Sequence, residues 1–415
     1  MASDDEALLD RVQRQTFRYF WDFGHPVSGL ARDRTNRKRE YGSDAVTSGG
    51  SGFGIMAILV AVERGWVTRA EALDRLLKMI RFLGRAERFH GVFPHLLHGA
   101  SGATIQFGPK DDGADLVETA FLIQGLLAAR QYFQRQDDAE IELRDRIERL
   151  WQEVDWARHT QGRDVLYWHW SPHHGWAMNH EIRGWNECLI TYVLAAASPT
   201  HRIEPRVYHE GWAKGVNFRN GRTFYGIEQP LGRDQGGPLF FTHYSFLGLD
   251  PRGLRDRYAD YWVQNRHHVL INRAHCIANP HGYAGYGESC WGLTASDSVK
   301  GYAAHAPDRD LGVIAPTAAL ASMPYTPEAS LQVLRHLHDD LGERLWGPYG
   351  FHDAFSETAD WVAESFLAID QGPIVIMIEN HRSGLLWTLF MSCPEVLEGL
   401  RRLDFTSPHL EPKLA

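Results

Sequence analysis

The chain has 415 residues, 44% of them hydrophobic, and a formal net charge of −9. No basic run is longer than Arg37-Lys38-Arg39, and no apolar stretch approaches the ~18 residues of a membrane span, which argues against nucleic acid as the main partner and against a transmembrane segment. Four cysteines, Cys188, Cys276, Cys290 and Cys393, are scattered without a CxxC pair and read as free thiols, neither a disulfide framework nor a zinc site.

Residues 4–23 read as an amphipathic helix, with Leu8, Leu9, Val12, Phe17, Phe20 and Trp21 opposed to Asp10, Arg11, Arg14 and Arg18. The N-terminus itself, Met1-Ala2-Ser3-Asp4-Asp5-Glu6, is acidic and lacks a signal-peptide core. As it stands it predicts a cytoplasmic protein, or a periplasmic one where a leader has been removed. A polar loop runs through Arg32-Asp33-Arg34-Thr35-Asn36. Residues 53–61 then form a helix that is apolar all round and is expected to be buried on most faces. It is followed closely by a charged amphipathic helix beginning at Thr68, an N-cap residue.

This pair, a buried helix and then an amphipathic one, recurs. Residues 112–133 are apolar and 139–156 amphipathic. The same alternation is predicted for 184–197 and 201–214, for 237–249 and 252–276, and for 310–322 and 327–345. The apolar run 371–390 closes the series, with the N-terminal helix available as its outer partner. Six such hairpins at a loose spacing of about 55 to 75 residues are too irregular for a solenoid repeat. They predict an all-α fold, a single domain over residues 1–415 in which six inner helices are ringed by six outer ones. Long connections at 90–110, 157–183, 216–235, 278–309 and 346–369 would all emerge where the inner helices begin, and loops of that length in a compact domain are usually functional.

The stretch Asp111-Asp112-Gly113-Ala114-Asp115-Leu116-Val117-Glu118 opens the second inner helix. Helical spacing would place Asp111, Asp115 and Glu118 on one face, at the positive end of the helix dipole. Asp112 reads as the N-cap and Asp115 as the third helical position of a capping-box variant. Glu118 lies a full turn in and is not accounted for by capping. Acids recur at other inner-helix starts, as Glu187 and Asp370, with Glu288 and Asp297 in a mouth loop. The loops are also rich in rings: the chain holds 14 Trp, 15 Tyr and 20 Phe, enough to line a sugar cleft with flat faces. Candidate substrate contacts are Asp111, Trp168, His174, Trp185, Tyr286, Glu288, Trp291, Asp297 and Phe351.

Carboxylates across an aromatic cleft suit glycosidic cleavage. One stays protonated and donates to the leaving oxygen, while the other activates water or attacks the sugar. Asp297, Asp353 and Asp360 are equally consistent with turns or caps. His169, His173, His174 and His180 could ligate a metal, but no HExxH or comparable pair is present, and neither metal nor cofactor is expected. The Gly49-Gly50-Ser51-Gly52 turn fits neither a phosphate loop nor a nucleophile elbow.

Thr16-Phe17-Arg18-Tyr19-Phe20-Trp21, Gly29-Leu30-Ala31-Arg32-Asp33-Arg34, Gly52-Phe53-Gly54, the Asp115–Glu118 pair with Thr119-Ala120, Gly184-Trp185-Asn186-Glu187 and Ile369-Asp370-Gln371-Gly372-Pro373 together resemble bacterial glucoamylase-like proteins. These include the β-1,2-glucanases of glycoside hydrolase family 144 and a related domain of cyclic β-1,2-glucan synthases. The resemblance runs from about Thr16 to Phe390. It implies an (α/α)6 barrel and hydrolysis of β-1,2-glucan to sophoro-oligosaccharides with inversion. It further implies Glu187 as general acid, Asp115 and Glu118 as an important carboxylate pair, and Asp370 as candidate base. A transglycosylase on the same glucan, a hydrolase of another glucan and a non-catalytic carbohydrate-binding toroid stay open as alternatives.

Overall fold

The computed structural model describes residues 3–35 and 44–411. The basic run Arg37-Lys38-Arg39, together with Met1, Ala2 and Asn36, lies outside the described residues. Regular structure is mainly helical. Helices α1 (Ser3–Trp21), α2 (Ser48–Glu63), α3 (Arg69–Leu83), α4 (Leu116–Tyr132), α5 (Asp138–Glu153), α6 (Leu189–Ala197) and α7 (Tyr261–Ala278) make up the first two thirds. Then follow α8 (Pro316–Leu320), α9 (Pro327–Arg335), α10 (Gly342–Leu345), α11 (Ala368–Arg382), α12 (Leu385–Phe390) and α13 (Pro394–Arg402). Strands are short and confined to the connections: β1 (Ala45–Thr47), β2 (Leu96–His98) and β3 (Thr104–Ile105) form one small antiparallel sheet, and β4 (Ala114–Asp115) pairs with β5 (His169–Trp170). The longest are β6 (Arg219–Phe224) and β7 (Ile227–Leu231), a hairpin.

The apolar helices are interior, as their composition dictates. Every residue of α2 from Ser48 to Ala61 is buried, as is every residue of α4 from Leu116 to Arg130. Helix α2 packs against α4 on one side and α11 on the other, α4 continues onto α6, and α11 onto α8. Amphipathic helices cover them: α1 lies against α11 and α2, α3 and α5 pair outside α2 and α4, and α9 lies against α8. Helix α3 starts at a full capping box, in which Thr68 N donates to Glu71 Oε2 at 2.8 Å and Thr68 Oγ1 accepts from Glu71 N at 3.2 Å. One contiguous apolar core runs from Leu9 to Phe405. Among the described residues, no helix is long and apolar enough to cross a membrane.

Three predicted elements differ. Residues 237–249 form two 3-10 turns, Leu239–Thr242 and Ser245–Leu247, in place of an inner helix. Side chains there bond to backbone carbonyls: Thr242 Oγ1 donates to Leu239 O at 2.8 Å, and Ser245 Oγ donates to Glu187 O at 2.5 Å. Residues 201–214 reduce to a π-turn, Val207–Gly211, and a 3-10 turn, Trp212–Lys214. The helix that covers α6 is α13, which the hairpin pattern did not include; a Cβ at Gly399 would lie 2.7 Å from Ala197 Cβ. The run 371–390 is broken where Gly384, at φ +71°, separates α11 from α12.

The α2–α4 contact is a close backbone approach. A Cβ at Gly52 would lie 2.2 Å from the Phe121 carbonyl oxygen, and one at Gly125 would lie 2.2 Å from the Gly52 carbonyl oxygen. Gly52→Ala is therefore expected to lower stability by about 3 kcal/mol, the upper end of ordinary overpacking costs. Gly287, which has nothing within 4 Å of its would-be Cβ, is the control. A thermal midpoint that falls for Gly52→Ala and not for Gly287→Ala is the predicted result.

Candidate active site

The start of α4 is not the helical face that spacing predicted. Residues Ala114 and Asp115 are extended and pair with Trp170 and His169 of the following loop, and this pairing holds the chain straight up to Leu116. Asp115, not Asp112, is the N-cap: its Oδ1 accepts from Val117 N at 3.1 Å and Glu118 N at 2.9 Å. Asp112 instead meets His173 Nδ1 at 2.6 Å. The carboxylates still converge, by way of loop histidines. Trp168 Nε1 donates to Asp115 Oδ1 at 2.9 Å, His95 Nδ1 lies 3.4 Å from Asp115 Oδ2, and His169 Nε2 lies 3.5 Å from Asp111 Oδ2 and 3.7 Å from Asp115 Oδ2.

Glu118 reaches across to the start of α2. Its Oε2 accepts from Gly49 N at 2.9 Å and from Thr47 Oγ1 at 3.3 Å, and its Oε1 lies 4.0 Å from His95 Nδ1. Gly49 is required for this approach, because a Cβ there would lie 2.4 Å from Glu118 Oε2. The group is thus a buried acid cluster met by two imidazoles, His95 and His169. Burial pulls the His95 pKa down, but Glu118 and Asp115 carry it up to about 10, so it is an imidazolium at neutral pH. Burial pushes Asp115 up, yet the His95 hydrogen bond and the neighbouring imidazoles hold it below the usual carboxylate value. Glu118 is raised by burial, and Asp111 rises to about 7 through burial and the Asp115 charge.

Glu187 stands at the turn before α6, where Ser245 grips its carbonyl and the Asn186 side chain accepts from Cys188 N at 3.0 Å. The carboxyl is half-buried. Burial, then the charges of Glu118 and Asp115, push its pKa up to about 7.

A second acidic group forms at the start of α11. Asp370, the third residue of that helix, is buried, and the charge of the buried Asp353 acts on it. Two neighbouring buried carboxyls disfavour ionising together. Burial and the Asp353 charge raise Asp370 well above the carboxylate range, while burial raises Asp353 to about 6. Asp353 Oδ2 accepts from Asp297 N at 2.7 Å. Asp297 in turn is ion-paired with Arg34 and accepts from Ser365 Oγ at 2.5 Å. Beside this pair opens a cavity of about 490 Å3, with Tyr302 and Trp361 in its wall.

Tyr244 connects the two groups. It is buried against Phe53, Phe121 and Phe240, and its hydroxyl has no hydrogen-bond partner among the described residues. Burial raises its pKa, and so do the charges of Asp370, Glu187 and Glu118, which places the phenol within electrostatic reach of both.

The predicted contacts divide. Asp111, Trp168 and Asp297 lie within the two groups, and Trp168 also stacks on His169 and His180. His174 and Glu288 are exposed on loops, and Tyr286 is turned to Asp310, to which its hydroxyl donates at 2.8 Å. Three rings are corrected. Trp291 and Phe351 are 0% exposed, within the core, and offer no face to a ligand. Trp185 is 5% exposed and packs on Phe246 and Tyr261. His95, Tyr244, Arg34 and Asp353 went unassigned as site residues. Arg34 stood within a quoted motif and Asp353 was read as a turn or cap, whereas His95 and Tyr244 carry no local signal. Asp111, Asp115 and His169 also offer donor atoms within 4.8 Å of one another, a geometry open to a cation, though Asp115 Oδ1 is already occupied by three N–H donors.

Fold and site together define a helical protein with buried and partly buried carboxyl groups gathered at the starts of its core helices. The chain belongs to the glycoamylase family, whose model, described as "Putative glucoamylase", matches residues 179–394. It is 48% identical over 422 residues to an exo β-1,2-glucooligosaccharide sophorohydrolase (non-reducing end) of Parabacteroides distasonis, covering 96% of this chain and 58% of that protein. The chain thus spans less than two thirds of that relative. Two solved structures match nearly end to end. One, from Bacteroides uniformis and carrying the family's description, has a TM-score of 0.97 at 59% identity, over 98% of this chain and 99% of the other. The other is an endo-β-1,2-glucanase from Chitinophaga pinensis in complex with sophorotriose and glucose, with a TM-score of 0.96 at 56% identity, over 98% and 99% of the two chains.

Proposed function

We propose that this chain is a glycoside hydrolase that cleaves β-1,2-glucan to sophoro-oligosaccharides, on an (α/α)6 barrel formed by the whole chain as one domain. Glu187 is the general acid and Asp370 the base. The observation that carries the reading is the Glu187 carboxyl: half-buried, raised to about 7, and facing the charges of Glu118 and Asp115 in a chain matched along its length by a β-1,2-glucanase. A carboxyl still protonated near neutrality can give its proton to a leaving glycosidic oxygen. Asp370 and Glu187 belong to separate groups, and inversion requires a water activated by the base on the side opposite the acid. The negative charges of Asp115 and Glu118 help keep Glu187 protonated. The Trp168 ring, fixed by Asp115, supplies a face for sugar.

Product analysis on linear β-1,2-glucan tests the proposal. The expected result is a series of sophoro-oligosaccharides from β-1,2-glucan and none from α-1,4-, β-1,3- or β-1,4-glucans. The spread of products separates internal from terminal attack. Intact β-1,2-glucan at high enzyme concentration would overturn the substrate assignment. Proton NMR of the first-formed reducing ends reads the anomer directly, with the α-anomer expected.

A further inference from the structure

We propose that Cys290, His336 and Glu357 form a binding site for a divalent transition-metal cation of the zinc type. Their donor atoms lie within 4.8 Å of one another. The three come from separate parts of the chain: the loop between α7 and α8, the π-turn that ends α9, and the turn after Phe355-Ser356. Sequence spacing could not have joined them.

Each ligand is prepared differently. His336 Nδ1 is engaged by Asp340 Oδ2 at 2.7 Å, which fixes the ring and leaves Nε2 as the free nitrogen. A carboxylate behind a histidine is the usual outer support of a metal-bound imidazole. Cys290 is a free thiol, 2% exposed. Glu357 packs its carboxylate over Gly285, where a Cβ would lie 2.5 Å from Glu357 Cδ; Gly285, at φ +81°, makes the space. On binding, the Sγ–H bond is exchanged for an Sγ–metal bond and the proton leaves to solvent.

The donor set selects the ion. Thiolate, imidazole and carboxylate together suit zinc, not calcium or magnesium, which take oxygen. Three protein ligands leave a fourth position for water. Bonds of about 2.0–2.3 Å place tetrahedral donors roughly 3.5 Å apart, so closing on the ion takes side-chain movements on the order of 1 Å. The ion would tie the loops at 278–309 and 346–369 to the end of α9.

The test uses the whole chain, stripped of metal by chelation. Zinc titrated by calorimetry is expected to bind, and cobalt(II) in its place is expected to give the thiolate-to-metal charge-transfer absorption. Cys290→Ser should remove that absorption. Glu357→Gln and Asp340→Asn, which leave the buried thiol in place, should each weaken zinc binding by about tenfold or more. Cobalt bound without a thiolate absorption, or zinc affinity unchanged in these two variants, overturns the proposal; the ion would then sit at Asp111, Asp115 and His169. None of these readouts depends on glucan cleavage.

Discussion

Glu187→Gln is expected to lower kcat/KM on β-1,2-glucan by at least about a hundredfold, the range in which general acid catalysis contributes. The amide has the size of the acid and no proton to give. Folding should be unaffected, because the side chain is half-buried at a turn whose backbone is held by Ser245 and Asn186. Wild-type activity should fall as pH rises through about 7, where the carboxyl loses its proton. Asp115→Asn adds a test of cause. Asparagine keeps the N-cap but removes one of the negative charges that raise Glu187. The alkaline limb should then move to lower pH. Retention of more than a tenth of wild-type kcat/KM by Glu187→Gln, with an unshifted limb in Asp115→Asn, would remove Glu187 from the acid role.

What was legible in the sequence was whatever a local pattern determines. Residues 53–61 and 112–133 are too apolar to be anything but interior, and α2 and α4 are both buried. Thr68 is legible as the N-cap of α3, and the structure completes its capping box with Glu71, within four residues of sequence. The acids at 111–118 were found for a reason the structure replaces. Helical spacing did not gather them; a strand pairing with His169 and a histidine from the loop at 90–110 did. Cross-chain pairings of this kind leave no periodic trace, and so His95, which bears the positive charge of the cluster, was missed. The rings show the same limit. Trp168 and Trp291 both sit in Gly- and aromatic-rich loops, yet one is fixed beside Asp115 and the other is sealed in the core. Composition places a ring in a loop, and only tertiary packing decides which of its faces is open. The helix expected at 237–249 is replaced by two 3-10 turns, and Ser245 there commits its hydroxyl to the distant Glu187 carbonyl, a partner that the local sequence does not reveal.

Asp370→Asn is expected to be as damaging as Glu187→Gln, again about a hundredfold or more in kcat. The reason is the coupling of Asp370 to Asp353: burial and mutual charge make ionising both carboxyls costly. A pair with one proton carries one negative charge, which suffices to accept a proton from water if that charge can reside on Asp370. The amide of Asp370→Asn would mimic the protonated state permanently: it can donate to Asp353, so the fold is preserved, but it cannot take a proton. Unchanged turnover in Asp370→Asn would mean that Asp370 is needed only as a neutral hydrogen-bond donor, and would move the base elsewhere. Asp353→Asn makes the opposite change. The Asp353 charge raises Asp370, and an amide in its place can donate to the Asp370 carboxylate, so the Asp370 pKa should fall. A base works only when ionised, so the acid limb of the pH profile should move to lower pH. A limb that moves down in Asp353→Asn while activity is lost in Asp370→Asn assigns the base to Asp370 and leaves Asp353 as the residue that tunes it.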